Sequence, residues 1–214
     1  GMGRFVFLLV GVLAALSSQI IGATELTALF KTVAPSVPLI MTFDANNEPR
    51  SLGSGFFVDD GRAIVTNFHV IQGANSVSIK LSSGETARIT RYLASDTKHD
   101  LVLLESPVKG KGLSLSQTAP EVGQAIATLG NPKGLEATIS TGIVSGLRND
   151  EKSSYIQITA PISPGSSGGP VVSMDGLVLG VTSFYISEGQ SLNFAMPVGY
   201  VQKMLDAKNP KPLK

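Results

Sequence analysis

The sequence predicts an all-β protein, and three observations carry that expectation. Short β-rich runs recur along the chain, 23 glycines and 12 prolines punctuate its 214 residues, and SVSIKL (76–81) alternates apolar and polar side chains with period two. Roughly a dozen short strands at such spacing suggest either a sandwich or a pair of barrels.

The elements follow in order. After residue 24, ELTALFKTVAPSVPLIM reads as a short helix stopped before Pro35, because proline disfavours helix in the residue ahead of it, and then as a first strand. GFFV (55–58) turns at Asp59-Asp60-Gly61 into AIVT (63–66), and ARITRYLA (87–94) leads to LVLLE (101–105). SPVKGKG (106–112), rich in Pro, Gly and Lys, reads as a linker. Beyond it AIATLG, ATISTGIVSGL, YIQIT, PVVSM, LVLGVTSFYI and SLNFAM repeat the strand pattern, with Asp175-Gly176 as a hairpin signal. PVGYVQKMLDA (197–207) carries Val198, Val201 and Leu205 at helical spacing.

Composition narrows the chemistry. Hydrophobic residues make up 43% and charged ones 15%, which suits a compact globular chain and argues against disorder. A net charge of +1 points to no nucleic-acid partner. Cysteine is absent, so disulfides, thiolate chemistry and zinc–thiolate sites are excluded. His69 and His99 are the only histidines and form no HExxH pattern, so neither a metal nor any other cofactor is expected.

The first residues differ from the rest. Arg4 precedes the apolar run FVFLLVGVLAAL (5–16), a secretory signal pattern over residues 1–23. Cleavage would follow Ser17 or, as we prefer, Ala23; the alternative is an uncleaved anchor over residues 5–21, interrupted by Ser17, Ser18 and Gln19. Either places the globular part outside the cytoplasm, in the periplasm or secreted.

GSSGGP (165–170) sets two hydroxyls in a turn stripped of other side chains. Such a turn is either a flexible surface loop or a device that presents one hydroxyl as a nucleophile and aims backbone N–H groups at a developing oxyanion. His69, in TNFHV, directly follows the apolar run AIVT, where it can be held firmly yet reach a cleft. Asp100 stands at the start of LVLLE and can orient the imidazole of a general base; Asp96 is its nearest rival. His99, among charged neighbours, reads as a solvated turn residue. The order His69, Asp100, Ser167 is the one that recurs for this triad on paired β-barrels.

GSGFFVDDGRAIVTNFHVI (53–71), DLVLLE (100–105), GNPKGLEATISTGIVSGLR (130–148), ITAPISPGSSGGPVV (158–172) and LNFAMPVGYV (192–201) together resemble the protease domain of the HtrA/Deg family of trypsin-like serine proteases, over about residues 26–207. The resemblance implies two six-stranded antiparallel β-barrels of the chymotrypsin/trypsin-like fold with short N- and C-terminal helices. The first would span 24–112 and the second 113–208, with 209–214 as a tail. It makes His69 the general base, Asp100 its orienting carboxylate and Ser167 the nucleophile, with the oxyanion hole at Gly165 and Ser167 and the Ser166 N–H nearby. It implies an exported endopeptidase acting on unfolded or exposed polypeptide, with a role in protein quality control, and a homotrimer supported by the stretch around Leu26 and Phe30.

Two departures qualify it. Ser166 stands where the family usually has Asn and trypsin-type enzymes have Asp, so activation by a new N-terminus pairing with that carboxylate is not expected. Control would lie in loop order, with RNDEKSS (148–154) after GIVSG and Arg148 as a regulatory contact. The chain also ends soon after its last helix, so PDZ-mediated sensing is not expected. Pro161 and Ile162 bring no acid to the base of the first pocket, and with Val181, Ser183 and Ala195 as walls it would favour small or medium apolar side chains. The rival functions are a resting or inactive peptide-binding, chaperone-like domain and an esterase; the latter lacks the G-x-S-x-G elbow.

Overall fold

The computed structural model describes residues 25–134, 136–151, 153–187 and 190–213; the apolar segment expected over 1–23 lies outside them. No helix among the described residues is long and apolar enough to cross a membrane. Helix α1 (25–33) passes through a 3-10 turn at Ala34–Ser36 into β1 (Leu39–Phe43). β2 (Pro49–Ser54) and β3 (Phe56–Val58) follow, then β4 (Ala63–Asn67), α2 (Phe68–Ile71), β5 (Ser76–Lys80), β6 (Thr86–Ile89), β7 (Arg91–Asp96) and β8 (Leu101–Glu105).

These strands do not hydrogen-bond into one six-membered ring. They form a four-stranded sheet in the order β2-β1-β5-β6 and a five-stranded sheet in the order β15-β7-β8-β4-β3, where β15 (Lys211–Pro212) is the C-terminal tail paired to β7. The reason is two bends. Only Gly55 separates β2 from β3 and only Thr90 separates β6 from β7, so each bent strand pairs in one sheet before its bend and in the other after it. A Cβ at Gly55 would stand 2.8 Å from the Val65 carbonyl oxygen, so this corner requires glycine. Ile40, Phe57, Ile64, Ile79, Val102 and Leu104 fill the space between the sheets, each 1% exposed or less.

The second half does close. β9 (Ala125–Gly130), β10 (Thr138–Asn149), β11 (Ser154–Ile158), β12 (Pro170–Ser173), β13 (Val178–Ser187) and β14 (Gln190–Pro197) form a barrel in the order β10-β11-β14-β13-β12-β9, antiparallel throughout. Ile126, Val144, Ile156 and Val171 are buried within it. α3 (Val198–Asp206) buries Val201 and Met204 in a third cluster that joins Phe56, Val65 and Leu103 of the first half to Leu129, Val172 and Val178 of the second. Leu29 and Val33 of α1 enter the same cluster at i, i+4 spacing, with Leu26 and Phe30 packed partly buried against it.

The linker expected at 106–112 is stitched to the first half. The Gly110 N–H donates to the Gly61 carbonyl at 3.0 Å and the Leu113 N–H to that of Phe57 at 2.8 Å. At the next residue the chain changes sides, the Ser114 carbonyl accepting from the Val178 N–H at 2.9 Å.

Candidate active site

The imidazole is positioned by a four-residue helix. Val70 and Ile71 anchor α2 in the core, Gly73 ends it with φ +75°, and His69 faces outward with a side chain 47% exposed. Gly53 of β2 lets α2 approach; a Cβ there would lie 2.6 Å from Val70 Cγ1. Asp100 follows a 3-10 turn over Thr97–His99 and adopts the left-handed conformation (φ 56°, ψ 42°), which Asp tolerates better than most residues. That geometry turns both carboxylate oxygens toward α2. Oδ1 accepts the His69 backbone N–H at 2.7 Å and Oδ2 lies 2.5 Å from His69 Nδ1. The Asp100 carbonyl in turn accepts from the Phe68 N–H at 2.9 Å and from Asn67 Nδ2 at 3.1 Å. Asp96 pairs instead with His99, Nδ1 to Oδ2 at 2.7 Å. His99 is buried, 8% exposed, contrary to the solvated turn expected of it, because it lies against Tyr200.

The GSSGGP turn sits between β11 and β12 and is fixed through its carbonyls. The Pro164 oxygen accepts the Lys133 N–H at 3.2 Å, which holds the peptide carrying the Gly165 N–H. The Ser166 oxygen accepts the Gly169 N–H at 3.2 Å and the Thr182 hydroxyl at 3.0 Å, which holds the peptide carrying the Ser167 N–H. The Ser166 N–H donates to the Ser163 carbonyl at 3.0 Å. Of the three donors expected, Ser166 is therefore engaged within the turn, while Gly165 and Ser167 have no acceptor among the described residues. Gly165, at φ +89°, takes a conformation that glycine alone enters without strain.

The turn docks against the end of β4. A Cβ at Gly168 would stand 2.2 Å from the Ser54 carbonyl oxygen, 2.5 Å from Thr66 Oγ1 and 3.1 Å from the Asn67 N, which is why glycine follows the serine. His69 lies two residues beyond Asn67, so α2 and the serine turn lie at the same junction of the two halves. Ser167 is 6% exposed, and among the described residues its hydroxyl makes no hydrogen bond, to His69 or otherwise.

The five expected pocket residues do not line one cavity. Pro161 and Ile162 border a small cavity of about 70 Å³ behind the serine turn, ringed by the hydroxyl residues Thr128, Thr138, Ser140, Ser163, Ser166 and Thr182. Ser166 Oγ lies 3.4 Å from Ser163 Oγ, and a Cβ at Gly130 would meet the Ser166 side chain at 2.9 Å. Ser183 borders a separate cavity of about 260 Å³ with Arg148, Tyr155, Phe194 and Met196. Val181 and Ala195 are fully buried in the core. Successive side chains of a strand point to opposite faces, and Ser183 pairs with Phe194 whereas Ala195 pairs with Thr182, so Ala195 cannot share a wall with Ser183. The expected regulatory residue, Arg148, bonds Gln157 Oε1 through Nη2 at 3.1 Å. Of RNDEKSS, Arg148 and Asn149 end β10 and Ser154 begins β11, and between them Asp150 Oδ1 accepts the Ser153 N–H at 2.6 Å.

Three residues that position the turn were not singled out from sequence: Ser54, Lys133 and Thr182. Ser54 and Lys133 lie within quoted blocks, GSGFFV and GNPKG, and the glycines beside them were the available signal of close backbone approach.

A family model, described as a trypsin-like peptidase domain, matches residues 53–181. The probable periplasmic serine endoprotease DegP-like of Halomonas elongata is 34% identical over 170 residues, covering 75% of this chain and 36% of that protein. Serine protease HTRA4 of Mus musculus is 35% identical over 213 residues, covering 88% and 42%. The chain thus spans well under half the length of either. Among solved structures, the HtrA-type protease AlgW with tripeptide superposes with a TM-score of 0.74 at 28% identity, over 83% of this chain and 61% of that one. The serine endoprotease from Yersinia pestis does so with a TM-score of 0.73 at 26% identity, over 83% and 64%.

Proposed function

Because the chain belongs to the HtrA/Deg family of trypsin-like serine proteases, we propose that it is a serine endopeptidase cleaving exposed or unfolded polypeptide through an acyl-enzyme at Ser167. The observation that carries this reading is the His69–Asp100 pair, held at 2.5 Å beside a serine turn whose Gly165 and Ser167 N–H groups have no acceptor among the described residues.

In the reaction, His69 Nε2 removes the Ser167 hydroxyl proton as Oγ bonds the substrate carbonyl carbon. Asp100 accepts the Nδ1–H bond and stabilises the imidazolium. The carbonyl electron pair moves onto oxygen, which accepts from the Gly165 and Ser167 N–H groups. Collapse of that oxyanion breaks the C–N bond and the leaving amine takes the proton from His69. Water then repeats the sequence and frees Ser167. Neutral Pro161 and Ile162 support a preference for small or medium apolar side chains. The two N-terminal sheets, joined at the bends of Gly55 and Thr90, we read as a first barrel over 24–112, beside a second over 113–208. The apolar run at 5–16 and the periplasmic designation of the Halomonas relative support export.

A second reading, a resting peptide-binding domain, is favoured by the absence of a hydrogen bond between Ser167 and His69, although such bonds often tighten only with substrate bound. Labelling with a fluorophosphonate decides between them. Labelling of the chain from Thr24 onward, but not of its Ser167→Ala variant, establishes the nucleophile. A folded parent that takes no label establishes the resting domain.

A further inference from the structure

Ser54 is fully buried at the end of β2, in the half of the molecule that carries His69, and each of its polar atoms has a partner. Its hydroxyl donates to the Gly165 carbonyl at 2.7 Å and accepts the Asn131 N–H at 2.7 Å. Its backbone N–H donates to the Ser167 carbonyl at 2.9 Å, and its own carbonyl accepts the Thr66 hydroxyl at 2.7 Å. Three of these four bonds cross to the second barrel, and they reach the carbonyl groups of both residues proposed to supply the oxyanion donors.

The hydroxyl acts on Gly165 from two sides. Directly, it fixes the plane of the Gly165–Ser166 peptide. Indirectly, it holds Asn131, the first residue of the turn whose Lys133 N–H fixes the Pro164–Gly165 peptide at 3.2 Å. Lys133 sits in a left-handed conformation (φ 53°), and a Cβ on Gly165 would come within 2.6 Å of the Lys133 N. The two segments are therefore packed backbone to backbone. Rotating the Gly165 N–H away from the cleft requires that the Ser54 bond, the Lys133 bond or both break.

We infer that Ser54 is a positioning residue: its hydroxyl couples docking of the first half of the molecule to the orientation of the Gly165 N–H, one of the donors proposed to stabilise the oxyanion. The inference rests on the reading of Ser167 as nucleophile. Ser54 never touches substrate, so its loss weakens stabilisation of the tetrahedral species and leaves ground-state binding alone.

The test compares the chain from Thr24 onward with its Ser54→Ala variant in three measurements: casein hydrolysis across pH, inhibition by phenylboronic acid, which forms a tetrahedral adduct on an active serine, and thermal melting. The expected result is a fall of about 10- to 100-fold in kcat, below the roughly 10²- to 10³-fold of removing an oxyanion donor outright. KM should stay within about twofold and the pH midpoint unmoved, while phenylboronate affinity falls by the same factor as kcat. Should Ser54→Ala not fold, Ser54→Cys replaces it with a weaker donor of similar shape, and its kcat should fall in the same direction. An active parent whose variant keeps its kcat, or loses casein KM as much as boronate affinity, overturns the positioning role alone. A parent that neither cleaves casein nor takes a fluorophosphonate overturns the Ser167 reading, and this inference with it.

Discussion

The ring of His99 lies flat on that of Tyr200, their centroids 3.7 Å apart and their planes 15° from parallel. This stack joins α3 to the turn that presents Asp100, and the Tyr200 hydroxyl accepts the Ser154 N–H at 2.8 Å at the start of β11. A double-mutant cycle with His99→Ala and Tyr200→Ala should yield a coupling of about 0.5–1.5 kcal/mol in denaturant unfolding. Tyr200→Phe keeps the stack and loses only the hydrogen bond, at a cost of roughly 0.5–1.5 kcal/mol.

Asp100→Asn should retain the fold, because an amide oxygen still accepts the His69 backbone N–H. It should lower kcat on casein by about 10⁴-fold, since a neutral amide can hold the imidazole in the wrong tautomer and cannot stabilise the imidazolium. Equal melting curves with this loss of rate separate catalysis from structure.

Ser166 faces the hydroxyl-ringed cavity behind the turn, and among the described residues no basic side chain lines that cavity. Ser166→Asp would place an unpaired carboxylate there and should lower the melting temperature by several degrees near neutral pH, with partial recovery as pH falls toward 4 and the acid is protonated. Ser166→Asn, uncharged, should melt within about 2 °C of the parent.

Lys208, just past α3, reaches back to Asp59 in the β3–β4 turn, Nζ to Oδ2 at 2.8 Å. The Lys208 hydrogen bond holds the Asp59 carboxyl below its ordinary value of 3.8. A lowered folded-state pKa means that this contribution is present above about pH 3.8 and is lost as pH falls through the lower, folded-state value. Lys208 is 44% exposed, so the bridge is worth at most about 1 kcal/mol. Lys208→Met should cost that much at pH 7 and nothing once Asp59 is protonated, as read by urea unfolding at both pH values.

What the sequence discloses follows the range of the interaction. His69, Asp100 and Ser167 each stand in a short local pattern, a strand end or a glycine turn, so the chain alone singles them out as candidates. Ser54 is silent because its hydroxyl's partners lie 111 and 77 residues away. β2 was missed because PRSLGS is polar, opens on proline as an edge strand can, and shows no alternation. Ala195 does not join Ser183 on one wall as expected, since the register that faces Phe194 toward Ser183 is set by cross-strand pairing. His99 reads as solvated from its charged neighbours because the Tyr200 ring that stacks on it is brought in by α3 from the far end of the chain.

The crossing between the halves has a mechanical consequence. Leu113 is hydrogen-bonded to β3 of the first half and Ser114 to β13 of the second, so not one residue of slack separates the two. At this crossing the halves cannot slide apart without breaking one of these two main-chain bonds, and only rotation about the backbone torsions between Leu113 and Ser114 is left to the seam. A protease offered the native fold should find residues 106–114 resistant to nicking, despite a composition that elsewhere marks a tether.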